Sequence, residues 1–394
     1  MIGAGVFAAP GPAAAAAGTW LLVGLALAAL VAYANATSSA QLAALYPESG
    51  GTYVYARERL GGFWGFLAGW SFVVGKTASL AAMALTFGAY LSPDLARPIG
   101  IGAVVAMTVV NYLGVEKTAW LTRLIVTIVL AALAVVVAAA FLGGAASVDN
   151  LDTARPAGAF GVLQSAGLLF FAFAGYARIA TLGEEVRDPR TTIPRAIPLA
   201  LGLVVTIYAV VLGGALLAVG PTVLAESPAP LVAAVEASRW AAAAPAVQVG
   251  AAVAALGVLL SLLAGVSRTS LAMARRRELP RFLDAVHPKH RTPHVAELSA
   301  GALVCAIVLF ADLRGAIGFS SFAVLTYYAL ANASAWTLTT EERRWPRWLA
   351  GLGVGLCVVL AVTLPVIAVV GGAALLAAGS AVWAATRSRR RAAP

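Results

Sequence analysis

The sequence predicts an all-helical integral membrane protein, and two observations lead there. Hydrophobic residues make up 61% of the 394 and charged residues only 11%, whereas a soluble domain has about 25% charged residues. Apolar runs long enough to cross a bilayer, which takes about 20 residues each, recur from end to end between short charged or Gly/Pro-rich connectors. The mean hydropathy of +0.89 agrees. These features exclude a water-soluble protein. The net charge of +10 is therefore read as a membrane-orientation signal and not as a nucleic-acid surface.

Taken in order, the apolar windows predict spans near residues 1–18, 20–45, 63–91, 98–114, 118–143, 159–183, 195–219, 246–272, 295–311, 314–339, 346–366 and 368–386. If the N-terminal side of the first span is cytoplasmic, twenty-one of the 27 cations fall in cytoplasmic connectors. The opposite connectors hold Arg97, Arg155, Arg239 and Arg314, while Lys76 and Arg178 lie within spans. The positive-inside rule then predicts a multi-pass protein of the cell membrane with that N-terminal side and the C-terminus in the cytoplasm. The basic tail 387–394, with Arg387, Arg389, Arg390 and Arg391, anchors the last span and is suited to anionic membrane lipid.

Little in the chain supports redox, metal or nucleotide chemistry. Cys305 and Cys357 both lie in apolar runs, so neither a disulfide framework nor a metal-ligand spacing is available. The three histidines, His287, His290 and His294, share one basic loop, and its two prolines interrupt any helical i, i+4 pairing of metal ligands. Gly69 to Thr77 fails as a phosphate-binding loop because the spacing is one residue too long and the segment lies in an apolar helix. No cofactor is expected. A membrane-embedded enzyme would need paired carboxylates, a His/Cys cluster or a nucleophile with a base inside the spans. A channel would present rings of repeated charges or carbonyls. The uneven, unrepeated polar groups favour a carrier.

Two segments predict broken helices. Met1-Ile-Gly-Ala-Gly-Val-Phe7 places two glycines in an apolar run just before Pro10-Gly-Pro12, a poor sequence for an unbroken helix. Phe170-Phe-Ala-Phe-Ala-Gly-Tyr-Ala-Arg178, in the sixth span, sets Gly175 among aromatics. Freed backbone groups at membrane depth cost several kcal/mol each unless protein or a polar ligand satisfies them, so such breaks line cavities. Exposed amides at a helix start suit a carboxylate, and freed carbonyls suit an ammonium. Breaks at matching positions of two halves point to a transporter site between inverted repeats. The bland alternative is that each glycine only permits close helix packing.

Five stretches, in order, also resemble the amino acid/polyamine/organocation superfamily of permeases. They are Gly3-Ala-Gly-Val-Phe7, Tyr46-Pro-Glu-Ser-Gly-Gly-Thr-Tyr-Val-Tyr55, Phe171-Ala-Phe-Ala-Gly-Tyr176 with the Glu184-to-Arg195 loop, the run from Arg268 through Glu278-Leu-Pro280 to Pro293, and Tyr327-Tyr-Ala-Leu-Ala-Asn332. The resemblance covers almost the whole chain. It implies a leucine-transporter-like fold: a first inverted repeat in 1–143, a second in 159–339, two further helices in 346–386, and the tail 387–394. It also implies that amides around Ile2, Gly3, Ala4, Gly5 and Val6 hold a substrate carboxylate and that carbonyls of Phe173, Ala174 and Gly175 hold the amino group. Phe171 and Tyr176 would shape or gate the pocket, and Glu184, Glu185 and Arg187 would close an inner gate.

Where the chain departs from the family's pattern, further expectations follow. The family's first helix has a half that precedes the glycine motif, so the expectation is that this chain lacks its native N-terminal half-helix. Position 177 is alanine and position 178 arginine where several relatives carry an acidic residue, which favours neutral over cationic amino acids. Arg178 is read as pairing or snorkelling and not as touching substrate. Lys76 sits mid-span, where a charge costs at least about 2.5–3.5 kcal/mol, so it is a functional residue by default. It is assigned to proton coupling, or else to holding a broken helix end by hydrogen bonds. The expected function is secondary transport of an amino acid, proton-coupled or by exchange, with sodium coupling left open.

Overall fold

The computed structural model describes residues 2–47, 50–114, 119–151, 158–175 and 188–392. Among them all regular structure is helical. The helices are α1 (Gly5–Ala8), α2 (Pro10–Ala17), α3 (Leu21–Leu45), α4 (Thr52–Leu60), α5 (Gly62–Leu91), α6 (Ala96–Tyr112), α7 (Ala119–Leu142) and α8 (Ala159–Phe173). They continue as α9 (Pro189–Glu226), α10 (Pro230–Glu236), α11 (Ala244–Arg275), α12 (His294–Phe310), α13 (Leu313–Trp336), α14 (Arg347–Thr363) and α15 (Val366–Ala392).

Eight helical stretches among the described residues are long and apolar enough to cross a membrane, and three shorter apolar helices, α8, α12 and α14, accompany them. The outer surface has the polarity of a lipid-facing one. Leu199 is 78% exposed, Ile367 83% and Phe310 88%, while Asn35, Asn332, Ser79, Ser320, Lys76 and Glu297 are buried. A water-soluble protein places its residues the other way round. The structure is therefore that of a multi-pass membrane protein.

The bundle is organised around α5, which packs on α13 and α11 over much of its length. Small residues allow these helices to approach closely, as is usual where lipid supplies no hydrophobic drive between helices. A Cβ on Gly75 would sit 2.6 Å from that of Ala323 on α13. One on Gly100 of α6 would sit 2.6 Å from the Ala84 carbonyl of α5. Buried side chains tie the same faces together, Ser79 to Ser320 at 2.5 Å and Asn332 Nδ2 to Asn35 Oδ1 at 2.5 Å.

Two glycines with positive φ frame the short helix α4. Gly51 (φ 55°) and Gly61 (φ 100°) turn the chain out of α3 and into α5, and such backbone is open to glycine at no steric cost. Helix α9 contains Pro194, Pro198 and Pro221, and its one non-helical residue is Gly220 (φ 74°, ψ 169°). The chain bends there, directly before Pro221, as expected where a proline removes a hydrogen bond.

Candidate functional site

The first of the two anticipated breaks takes a specific form. Residues 2–4 are not helical, and the helix starts at Gly5, with Ala4 at the N-cap and no side chain capping it. Its hydrogen bonds run on through Ala9 N–H to Gly5 and Ala13 N–H to Ala9, so α1 continues into α2 with only a bend. Pro10-Gly-Pro12 thus does not break the helix. Pro10 opens α2, where a missing N–H is no loss. The real interruption comes later, at Gly18 (φ 55°, ψ −130°).

The second break lies in α8, whose last helical residue is Phe173. Ala174 and Gly175 form a turn, so carbonyls of the last turn are freed from the helical ladder. The two ends meet. A Cβ on Gly5 would fall 2.6 Å from Ala172 Cα, a separation that only glycine allows. The positive end of one helix therefore adjoins the negative end of the other.

Side chains from three other helices hold this junction. Lys76 of α5 is buried and donates from Nζ to the Ala174 carbonyl at 3.5 Å. Tyr328 of α13 donates to the same carbonyl at 3.5 Å and packs edge-on against Phe170 at 5.7 Å. Tyr208 of α9 donates to the Ala172 carbonyl at 3.3 Å, lies 5.3 Å from the Phe173 ring and receives the Gly3 backbone amide. At the other end of α5, Tyr90 donates to the Phe7 carbonyl at 3.0 Å. One helix, α5, thereby positions both broken segments.

Of the residues expected to bind, Ile2, Gly3, Gly5 and Phe171 are half-buried, Gly175 is exposed, and Ala4, Val6, Phe173 and Ala174 are buried. The structure thus brings Ile2–Val6, Phe171–Gly175 and Lys76 to one place. Tyr176, Arg178, Glu184, Glu185 and Arg187 lie outside the described residues, so the expected inner gate does too.

A different polar lock lies on the arginine-rich face. Glu278, in the turn after α11, is 1% exposed. It pairs with Arg57 of α4 and accepts from the Tyr53 hydroxyl at 2.6 Å. Arg57 and Arg276 both stand over the Tyr53 ring, at 5.2 and 5.5 Å. Burial, then the bond to Glu278, pushes the Tyr53 hydroxyl well above its ordinary pKa. Next to it, Arg59 donates to Glu342 at 3.0 Å, and the Thr52 amide donates to the Tyr327 hydroxyl of α13 at 3.0 Å. Sequence reasoning gave no role to Tyr53, Arg57, Glu278, Tyr208 or Tyr328. Glu278, Tyr53 and Tyr328 stand inside motifs it had marked, but partners far apart in sequence are what reveal the roles.

The three histidines gather around Tyr112, yet among the described residues no group of three His, Cys, Asp or Glu side chains is placed to hold a metal ion. A cavity of about 470 Å³ lined by Phe63, Trp64, Trp383 and Thr386 opens on the arginine-rich face; none of these residues belongs to the junction.

Two helix ends thus meet inside an apolar bundle, beside the buried Lys76. The chain belongs to the amino acid permease family, within the amino acid/polyamine/organocation superfamily: the family model for amino acid permeases matches residues 1–386. It is 60% identical over 387 residues to an uncharacterized transporter of Mycobacterium tuberculosis (strain ATCC 25618 / H37Rv), covering 98% of this chain and 88% of that protein. It is 27% identical over 376 residues to the branched-chain amino acid permease BcaP of Bacillus subtilis (strain 168), covering 88% and 79%. A third relative, the serine/threonine exchanger SteT of the same strain, is 26% identical over 369 residues, covering 87% and 81%.

Proposed function

We propose that this protein is a secondary active transporter that carries a neutral amino acid across the cell membrane by alternating access, driven by a proton. The observation behind this reading is the junction itself. A free amino acid has a carboxylate and an ammonium on one carbon, and the site sets the amides at the start of α1, residues 4–6, beside the carbonyls at 173–175. Each end of the zwitterion meets the matching end of a helix dipole. Phe171, with Tyr176, covers the substrate side chain. Alanine at position 177, where an acid would suit a cationic substrate, supports the neutral class.

Lys76 is proposed as the coupling group. Its ammonium holds the Ala174 carbonyl, so loss of its proton weakens one brace of the broken helix while the substrate site stays formed. The Tyr53–Arg57–Glu278 lock, supplemented by Glu184 and Glu185, serves as the gate on the arginine-rich face, which is the cytoplasmic face in this reading. Segments 1–143 and 159–339 act as inverted repeats, and 346–386 supplies two additional helices. The exchanger relative favours a second reading, obligatory exchange, in which Lys76 is structural.

Uptake of a radiolabelled amino acid panel into proteoliposomes tests these readings. Gradient-driven uptake of neutral amino acids into empty vesicles supports proton-coupled transport. Uptake only into vesicles preloaded with amino acid moves the assignment to exchange, and no uptake across the whole panel ends it.

A further inference from the structure

Glu297 is a buried carboxyl group that the junction does not use. It lies in the first turn of α12 and is 2% exposed. Its Oε2 accepts from the Ser267 hydroxyl of α11 at 2.8 Å, while its Oε1, also buried, has no hydrogen-bond partner. Asn111 of α6 stands near the same carboxyl group but donates from Nδ2 to the Leu260 carbonyl at 2.9 Å, and Arg268 of α11 acts on it only as a nearby charge. Glu297 takes no part in the ion pairs found among the described residues. An ionised carboxylate that leaves one oxygen without a donor in a dry site is unfavourable, and taking up a proton removes the charge.

A line of histidines leads from this group to the surface. His294 is one turn earlier on the same helix, at the i, i+3 spacing that shares a face, and its Nδ1 is likewise buried without a partner. The His287 ring is 5.3 Å from that of His294 and 4.7 Å from that of His290. His287 and His290 are half-buried. The Tyr112 ring stands against all three, at 5.4, 6.0 and 6.2 Å from His287, His290 and His294. His287 Nδ1 accepts the backbone amides of Lys289 and His290 at 3.2 and 3.1 Å, which leaves Nε2 to carry the exchangeable proton.

Among the described residues the groups facing this site are few. Helix α6 contributes Asn111 and Tyr112, α11 contributes Ser267 and Arg268, and the loop contributes His287, Lys289, His290 and Arg291. The 281–284 turn, packed on α11 and α12, contributes Arg281 and Asp284, and Asp284 is paired with Arg275. Helix α5 has Lys76 as its one charged residue.

We propose that Glu297 is a proton-binding site separate from Lys76, filled and emptied from the arginine-rich face through His294 and the His287–His290 pair. Burial and the adjoining His290, His294 and Lys289 hold His287 below the usual histidine range, so near neutral pH it can pass a proton without keeping it. Because Glu297 joins the ends of α6, α11 and α12, its protonation is expected to set transport rate by the pH of that face. This consequence, unlike the proton site itself, rests on the transport reading above.

Infrared titration of the purified protein tests the site without any substrate. Wild type should show a protonated-carboxyl band that persists above the ordinary carboxylate range and disappears as pH rises further. That band should be lost in Glu297→Gln, and its midpoint should be displaced in His294→Gln. Identical titrations in wild type and Glu297→Gln would overturn the proposal, and an unmoved midpoint in a monodisperse His294→Gln protein would remove the histidine route. In proteoliposomes, the dependence of uptake on the pH of the arginine-rich face should flatten in Glu297→Gln. A titrating Glu297 band together with no uptake of any amino acid would leave the proton site standing and sink the transport reading instead.

Discussion

Among the described residues Lys76 has a single backbone carbonyl as its hydrogen-bond partner, and a mid-span charge costs at least about 2.5–3.5 kcal/mol. A residue kept there for stability alone would be poorly chosen, because apolar replacements of buried charges are often neutral or stabilising. Lys76→Met should therefore leave the thermal unfolding midpoint in detergent unchanged or raised while abolishing gradient-driven uptake. Loss of stability with retained uptake would make it structural. Glu278 predicts the opposite pattern. Arg57→Ala strands a carboxylate that is 1% exposed, at a cost of about 3 kcal/mol, and the Arg57→Ala/Glu278→Ala double variant should recover part of that loss. The Arg59 and Thr339 donors hold the Glu342 carboxyl down at about 2. A depressed carboxyl group stabilises the fold above its ordinary range, near about 4.3, and the contribution disappears as pH falls through about 2. The difference in unfolding midpoint between wild type and Glu342→Gln should be constant above the ordinary range and shrink below it.

The helices make sharper predictions about glycine. A methyl group on Gly5 meets the backbone of Ala172 at 2.6 Å, whereas one on Gly3 meets only the tip of Val258 at 3.0 Å. Gly5→Ala should push α1 off α8 and abolish uptake, and Gly3→Ala should keep most of it. Gly202, on the lipid side of α9, has nothing within 4 Å, so Gly202→Ala serves as a neutral control. Equal effects of the three substitutions on uptake would show that the junction is not where substrate sits. These differences were not readable beforehand. Gly3 and Gly5 form one motif in the sequence, and the prolines at 10 and 12 looked like the helix breakers. Pro10 instead opens α2, because a proline in the first turn gives up a donor that has no partner in any case.

Orientation is a property of the assembled bundle and its charge. Arg57, Arg59, Arg276, Arg344 and Arg347 all lie near the ends of α4, α11, α13 and α14, and the positive-inside rule puts such an end in the cytoplasm. A fluorescent protein fused after residue 394 should therefore fold and fluoresce in cells, and a phosphatase fused at the same point should be inactive. The reverse pair of results would invert the gate assignment, making Tyr53–Arg57–Glu278 an outer lock. The His287–His294 loop would change sides with it.

Membrane residence, the helical class and the placement of most helices were determined by the sequence alone, because hydrocarbon tolerates only backbone whose hydrogen bonds are satisfied within the segment. Apolar length therefore translates directly into helices, and the ends of α3, α5, α12 and α14 fall within a few residues of the expected spans. The helix end at Phe173 falls within the glycine-containing stretch marked in the sequence, whereas the break expected from Pro10-Gly-Pro12 does not form. Tertiary structure alone decided what meets what. Lys76 and Ala174 are separated by 98 residues, Tyr328 and Ala174 by 154, and Arg57 and Glu278 by 221. No local pattern of hydropathy or charge encodes such pairings, because they depend on how the helices cross and rotate against one another. The same holds for Glu297, to which the sequence reading assigns no role. Packing of α6 and α11 around it is what leaves its second oxygen without a donor.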